Sequence, residues 1–299
     1  MLLHEKMETF PFSNSEKKVI AYMLEEKARI KKETIKEIAA KNYTAPSTLI
    51  RIAKKLNFSG WNDFRDAFLD EVSYLNEHFK DVDANFPFVE KDDFSSIASK
   101  LMHLNNEAVQ DTNHLIDQND LYQAVKLLEK SQEIYIFATS GNLLIAQDFQ
   151  VKMSRIKKRV TICTTEGEQL FAASNLRKDA CAIVISYSGE TNSVIKLAEI
   201  LYLNHVPIIS ITSIGESSLG KFADIKLRIS TREKLYSKIA NFAVNASICY
   251  LLDVLYGCFF SLDYQKNLNY KLMVADMVES NRTSTSDIID EKRQRITDD

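Results

Sequence analysis

The stretch Cys181-Ala182-Ile183-Val184-Ile185-Ser186-Tyr187-Ser188-Gly189-Glu190-Thr191 decides how this chain folds. Its first half is a short, continuous apolar run, the mark of a strand buried on both faces. Its second half gathers three hydroxyls, Ser186, Ser188 and Thr191, around Gly189, and an amphipathic segment at 192–203 follows. A phosphate dianion has several acceptor oxygens and no donor. Clustered hydroxyls, a glycine that lets backbone N–H groups approach and the positive end of a helix all serve it. No Lys follows as in a nucleotide P-loop, so the pattern suits one phosphate group better than a triphosphate with magnesium. Taken alone, S-G-x-T also serves as a plain hydroxyl-capped helix start.

Outward from this stretch, short β-rich runs at 134–138, 160–163, 181–186, 207–211 and 225–230 alternate with amphipathic segments. That alternation predicts βαβ units and a five-stranded parallel sheet between two helical layers. Ligands of such sheets bind beyond the carboxyl ends of the strands. Thr139-Ser140-Gly141-Asn142 after the first run and Ser210-Ile211-Thr212-Ser213 at the end of the fourth therefore join the hydroxyl cluster as candidates.

The first eighty residues read differently. They carry 14 Lys+Arg against 12 Asp+Glu, a net of +2, whereas the rest, with 24 against 29, carries -5, for a whole-chain net of -3. Within 27–55, nine basic residues face only Glu33 and Glu37. A polyanion fits such a field, and so does a solvated helical surface. Ser13-Asn14-Ser15-Glu16 has the form of a capping box, and Val19, Ile20, Met23 and Leu24 follow at helical spacing. A second helix starts near Thr34. It ends by Asn42, which is expected to take any left-handed backbone at the turn. A third spans 45–56, with Pro46 in its first turn and Leu49, Ile52, Ala53 and Leu56 inward. This is the form of a helix-turn-helix whose third helix enters the major groove. Thr44, Ser47, Thr48 and Arg51 are then candidates for base edges or nearby phosphates, and Lys54 and Lys55 for backbone anchors. Phe58, Trp61, Phe64 and Phe68 are spaced for core packing rather than for stacking on bases.

Ser-x-Ser-Gly-x-Thr after a buried third strand resembles the sugar isomerase (SIS) domain, a phosphosugar-binding fold. Joined to an N-terminal helix-turn-helix with Leu56-Asn57-Phe58-Ser59-Gly60-Trp61-Asn62-Asp63-Phe64 just after its third helix, residues 1–265 resemble the RpiR family of bacterial transcriptional regulators. The resemblance implies a two-domain chain. An all-α helix-turn-helix domain at 1–79 would be followed by a linker and leading helix at 80–110, an α/β SIS domain at 111–265 and a C-terminal helix and polar tail at 266–299. It implies a cytoplasmic, homodimeric regulator of carbohydrate metabolism whose partners are operator DNA and a phosphorylated sugar. The effector site would comprise Ser140, Asn142, Ser186, Ser188, Gly189 and Thr191. The family's first loop is of a G-x-G-x-S kind, whereas Ala138, Ser140 and Asn142 hold those places here. The helix at 236–262 would close the domain and take part in dimerisation.

The alternative is a sugar-phosphate isomerase, which needs a positioned base. The candidates are weak: His205 falls at the far end of the sheet, Glu190 lies within the phosphate motif, and Glu166 and Glu168 follow the second strand. No catalytic residue, cofactor or metal site is assigned. The spacing of Cys163, Cys181, Cys249 and Cys258 suits neither a metal knuckle nor a disulfide framework, so all four read as buried thiols. The N-terminal MLLHEKMETF lacks the apolar core of an export signal. Asn241, Asn245 and Asp253 argue against a membrane span in the apolar stretch at 239–262.

Overall fold

The computed structural model describes residues 3–78, 82–139, 141–279, 282–286 and 288. The polar tail beyond Glu279 thus lies largely outside the described residues.

The N-terminal helices are α1 (Leu3–Thr9), α2 (Asn14–Glu26), α3 (Ile35–Lys41), α4 (Pro46–Lys55) and α5 (Trp61–His78), with a 3-10 turn at Lys27–Lys32. The Ser13 amide donates to Glu16 Oε2 at 2.8 Å, and the Thr34 amide donates to Glu37 Oε2 at 2.7 Å, so both predicted helix starts carry the returning half of a capping box. Val19, Met23, Ile38, Leu49, Ile52, Phe64 and Phe68 close one core. The aromatic residues after α4 are therefore structural, as their spacing predicts. The helix-turn-helix corner differs from expectation in one respect. Asn42 has φ -100°, and Tyr43 takes the left-handed conformation at φ +52°. The Thr44 amide reaches the Ala39 carbonyl at 2.9 Å and the Tyr43 amide reaches Ala40 at 3.1 Å, which closes the end of α3 as a Schellman motif.

Two helices, α6 (Phe94–His114) and α7 (Gln118–Lys130), lead into the second body. Its strands are β1 (Glu133–Ala138), β2 (Val160–Ile162), β3 (Ala180–Ile185), β4 (Ile208–Thr212) and β5 (Ile225–Arg228), all parallel in the order β2-β1-β3-β4-β5. Every residue of β3 is buried. The helices α8 (Gly141–Ser154), α9 (Gln169–Ser174), α10 (Asn192–Leu203) and α11 (Phe242–Ser261) cover the sheet. Cys181, Ile183 and Ile185 join the core built with α7, α8 and α11, while Ala182 and Val184 join the core built with α9 and α10. Two-residue alternation across a strand buried on both sides produces this division.

The leading helix α6 is packed against α11 through Leu104, Ala108 and Ala243, so it is built into the second body rather than bridging to it. By length and composition α11 could cross a membrane, yet its Val244, Ile248, Leu251, Leu252 and Leu255 are core residues against the sheet. A last helix, α12 (Tyr264–Glu279), has no buried residue. The thiols also depart from expectation: Cys181 is buried, Cys163 and Cys258 are half-buried, and Cys249 is exposed.

Candidate functional site

Because β1 sits between β2 and β3, the chain leaves β1 toward one edge of the sheet and β3 toward the other. The crevice between their carboxyl ends is the topological switch point of the fold, and Ala138 and Ile185 are paired at its rim. The hydroxyl loop stands there. Ser186 is buried, its amide donates to the Ile211 carbonyl at 3.0 Å, and its Oγ lies 3.5 Å from Thr191 Oγ1. Ser188 is half-buried, and its Oγ accepts the Glu190 amide at 3.2 Å.

Gly189 has φ +65°, and a Cβ on it would lie 2.5 Å from Ser217 Oγ and 2.6 Å from Ser217 Cβ. Only glycine fits a left-handed backbone pressed on a neighbouring chain. Thr191 is the N-cap of α10 but makes no side-chain cap hydrogen bond, so the first amides of that helix are left to another acceptor. Glu190 is turned aside: its Oε1 accepts the Ser218 amide at 2.8 Å, which takes its charge toward the 213–219 segment. Two further bonds tie that segment to the loop, from the Ser213 amide to the Tyr187 carbonyl at 2.8 Å and from the Leu219 amide to the Gly189 carbonyl at 3.0 Å. The arrangement can therefore offer hydroxyls and helix amides to an acceptor-rich anion while keeping its one carboxylate occupied.

Of the other predicted residues, Asn142 is half-buried in the first turn of α8, after the neighbouring strand β1. Ser140 lies outside the described residues. His205 follows α10, at the amino end of β4 and opposite the hydroxyl loop. Glu168 is exposed, and the Glu166 side chain lies outside those described.

Several residues near the loop escaped sequence reasoning. Tyr187 Oη donates to the Glu233 carbonyl at 2.8 Å and accepts the Glu233 amide at 3.1 Å. The buried Glu233 accepts the first amide of α11's second residue, Ala243, at 2.6 Å, and holds Lys238 Nζ at 2.9 Å. Lys238 Nζ in turn lies 5.5 Å from the centre of the Tyr187 ring. Arg228, at the end of β5, donates to Thr212 Oγ1 at 2.6 Å, and burial pulls its pKa below the usual arginine value. No local motif links residue 187 to residue 233. Their meeting follows from strand order alone.

On the N-terminal domain, Ser47, Ile50, Arg51 and Lys54 form one exposed stripe on α4, at the i, i+3, i+4, i+7 spacing of a single helix face. Thr48 departs from the expected outward position. It is buried, and its Oγ1 lies 2.9 Å from that of Thr44, so a hydroxyl partner at the turn makes the inward position tolerable. Ile50 and Tyr43 are the exposed apolar groups that sequence reasoning left out. Arg51 and Lys55 share a partner, the wholly buried carboxylate of Glu16. Burial alone would raise the pKa of Glu16, but hydrogen bonds from Lys55, the Ser13 amide and Arg51 hold it at about 2, below the ordinary 4.5. A carboxylate so depressed stabilises the fold above pH 4.5, and its contribution is lost only as pH falls toward about 2.

Comparison with known proteins fits this two-part geometry. Residues 1–74 match the model of the helix-turn-helix domain, rpiR family, and residues 127–256 match that of the SIS domain. An uncharacterized HTH-type transcriptional regulator, YbbH of Bacillus subtilis, is 25% identical over 257 residues, which cover 86% of this chain and 89% of the relative. Another such regulator, TTE0211 of Caldanaerobacter subterraneus, is 26% identical over 225 residues, covering 75% and 78%. Among solved structures, the Vibrio vulnificus NanR protein complexed with ManNAc-6P aligns with TM-score 0.59 at 22% identity, covering 94% of this chain and all of that one. The sugar isomerase domain of an RpiR transcription factor from Sphaerobacter thermophilus aligns with TM-score 0.54 at 15% identity, covering 60% and 98%.

Proposed function

The chain belongs to the RpiR family of transcriptional regulators, with that family's helix-turn-helix domain joined to a SIS domain, and on this premise we propose that a sugar phosphate bound at the Ser186–Thr191 loop sets its affinity for operator DNA. The observation that carries the reading is the loop itself. Ser186, Ser188 and Thr191 surround a glycine that any side chain would strain, at a helix start whose amides lack a side-chain cap, in the crevice where this class of sheet binds ligands. Asn142 and, by its place in the sequence, Ser140 complete the proposed effector set.

The ligand bound to the Vibrio vulnificus NanR protein supports the chemical class, a phosphorylated sugar. The protein acts in the cytoplasm, where both DNA and phosphosugars are found. It does so as a homodimer, which sets two copies of α4 on inverted half-sites. Ser47, Arg51 and Lys54 meet base edges and phosphates, and Thr44, Thr48 and Lys55 support them from the turn and from the helix end. The effector biases two arrangements of the dimer that differ in the spacing of their DNA-binding domains.

A thermal-shift screen with ManNAc-6P and a panel of hexose and pentose monophosphates, each paired with its unphosphorylated sugar, tests the proposal. At a ligand concentration of about 100 times Kd, binding stabilises the folded protein by about 2.7 kcal/mol, enough for a clear rise in Tm. The rise is expected for phosphates only, is lost in Ser188→Ala, and is accompanied by a change in gel mobility of the DNA complex. A wild-type response in Ser188→Ala would place the effector elsewhere.

A further inference from the structure

Glu16 is a fully buried carboxylate of the N-terminal domain. Its side chain is 0% exposed, yet it reaches two residues of the neighbouring helix: Oε1 accepts Arg51 Nε at 2.8 Å and Oε2 accepts Lys55 Nζ at 2.7 Å. The Ser13 amide fixes Glu16 in turn, from the start of α2. We propose that Glu16 is a positioning residue for DNA readout, which holds Arg51 and Lys55 of α4 in the geometry they need at the groove.

Nε is the inner nitrogen of the guanidinium, so a carboxylate on it restrains the group while engaging neither η nitrogen. The Arg51 side chain is 55% exposed, and its η nitrogens have no protein partner among the described residues. Those two nitrogens form the fork that pairs with a guanine edge or a phosphate. Lys55 is held as tightly, with Nζ 5.9 Å from the centre of the Phe12 ring. A side chain already ordered loses less freedom on binding, so specific contact gains. The carboxylate also cancels one of the two positive charges, which restrains attraction to any phosphate chain regardless of sequence. One residue thus acts on specificity in two ways.

This inference rests on α4 being the DNA-reading helix, and the experiment separates the two ideas. A duplex is first selected from a random-sequence pool by the wild-type protein. Its Kd, and that of an unselected duplex of equal length, is then measured across a salt series for wild type, Glu16→Gln, Arg51→Ala and the double variant. Glu16→Gln is expected to bind the unselected duplex more tightly, with a steeper salt slope, and to lower the selected-to-unselected ratio by about tenfold, the worth of one good bidentate contact. In the Arg51→Ala background the same change should leave the ratio where it was, because the effect runs through Arg51. A folded Glu16→Gln protein with wild-type ratio and slope, beside an Arg51→Ala protein that has lost the ratio, overturns the positioning role. An Arg51→Ala protein with wild-type ratio overturns the α4 reading instead. If Glu16→Gln does not fold, Glu16→Asp, which keeps the charge and shortens its reach, is read by the same criteria.

Discussion

At position 189, two independent constraints fall on one residue. The backbone is left-handed, and the space where a Cβ would stand is filled by Ser217. Gly189→Ala must therefore accept the strained backbone and displace the 213–219 segment, at a cost of about 1–3 kcal/mol. Calorimetry should show a lower Tm, and sugar-phosphate binding should be lost with it. Ser188→Ala, on a half-buried side chain, should keep its stability within about 0.5 kcal/mol while losing the ligand. Equal Tm values for wild type and Gly189→Ala would show that the loop is not pressed on Ser217. The hydroxyl cluster was legible in the sequence because strand, turn and helix start follow one another within a dozen residues. Ser217 was not, because it comes from the loop after the next strand. Thr48 and Ile50 mark the same limit on α4. A polar residue turns inward when a single neighbour, Thr44, satisfies it, and an apolar one is left at the surface, neither of which polarity alone predicts.

The helices end in an unusual way for so regular a fold. The chain has only 7 Gly in 299 residues, and among the described residues the helix ends at Lys27, Tyr43, Asn57, Lys157 and His205 carry a positive φ on a residue with a side chain. The last four are each followed by an amide that reaches back to close the final turn, as Val206 does to the Leu201 carbonyl at 2.9 Å. Helix bodies were legible from their apolar period, whereas with no glycine to mark it the turn residue was not: Tyr43 rather than Asn42 takes the left-handed position. At these ends a Cβ strains the backbone, so glycine should relieve more than it costs in the unfolded chain. His205→Gly is expected to raise stability by about 0.5–1 kcal/mol, read as a higher Tm. Because this residue stands at the opposite end of the sheet from Ser186–Thr191, the thermal shift given by sugar phosphate should be unchanged. A loss of ligand response would bring His205 into the site and revive an enzymatic reading, since it would give a base a path to the sugar.

For the whole molecule, the alternation of strand and helix made the parallel five-stranded sheet legible, but not its order, which depends on which way each crossover turns. The order matters because it creates the crevice between β1 and β3. The proposed homodimer draws on a different part of the fold. The helix α12 leaves Leu272, Met273, Met277 and Val278 exposed, at 57%, 54%, 73% and 72%, with Met273 and Met277 one turn apart on one side, while Leu268, Val274 and Ala275 are half-buried. The proposed homodimer, burying that side, would cover these apolar groups and link two DNA-binding domains into one bivalent reader. Bivalency strengthens binding by about 10²–10⁴-fold without a new contact, provided both domains reach their half-sites together. Met273→Glu with Met277→Glu places two charges one turn apart on that side and touches no core residue. The variant should sediment as a monomer with an unchanged circular dichroism spectrum. Its affinity for a two-half-site operator should fall toward that for a single half-site, while sugar phosphate still raises its Tm. A variant that remains dimeric would move the interface away from α12, and one that loses the thermal response would mean that the effector crevice is completed by the partner subunit.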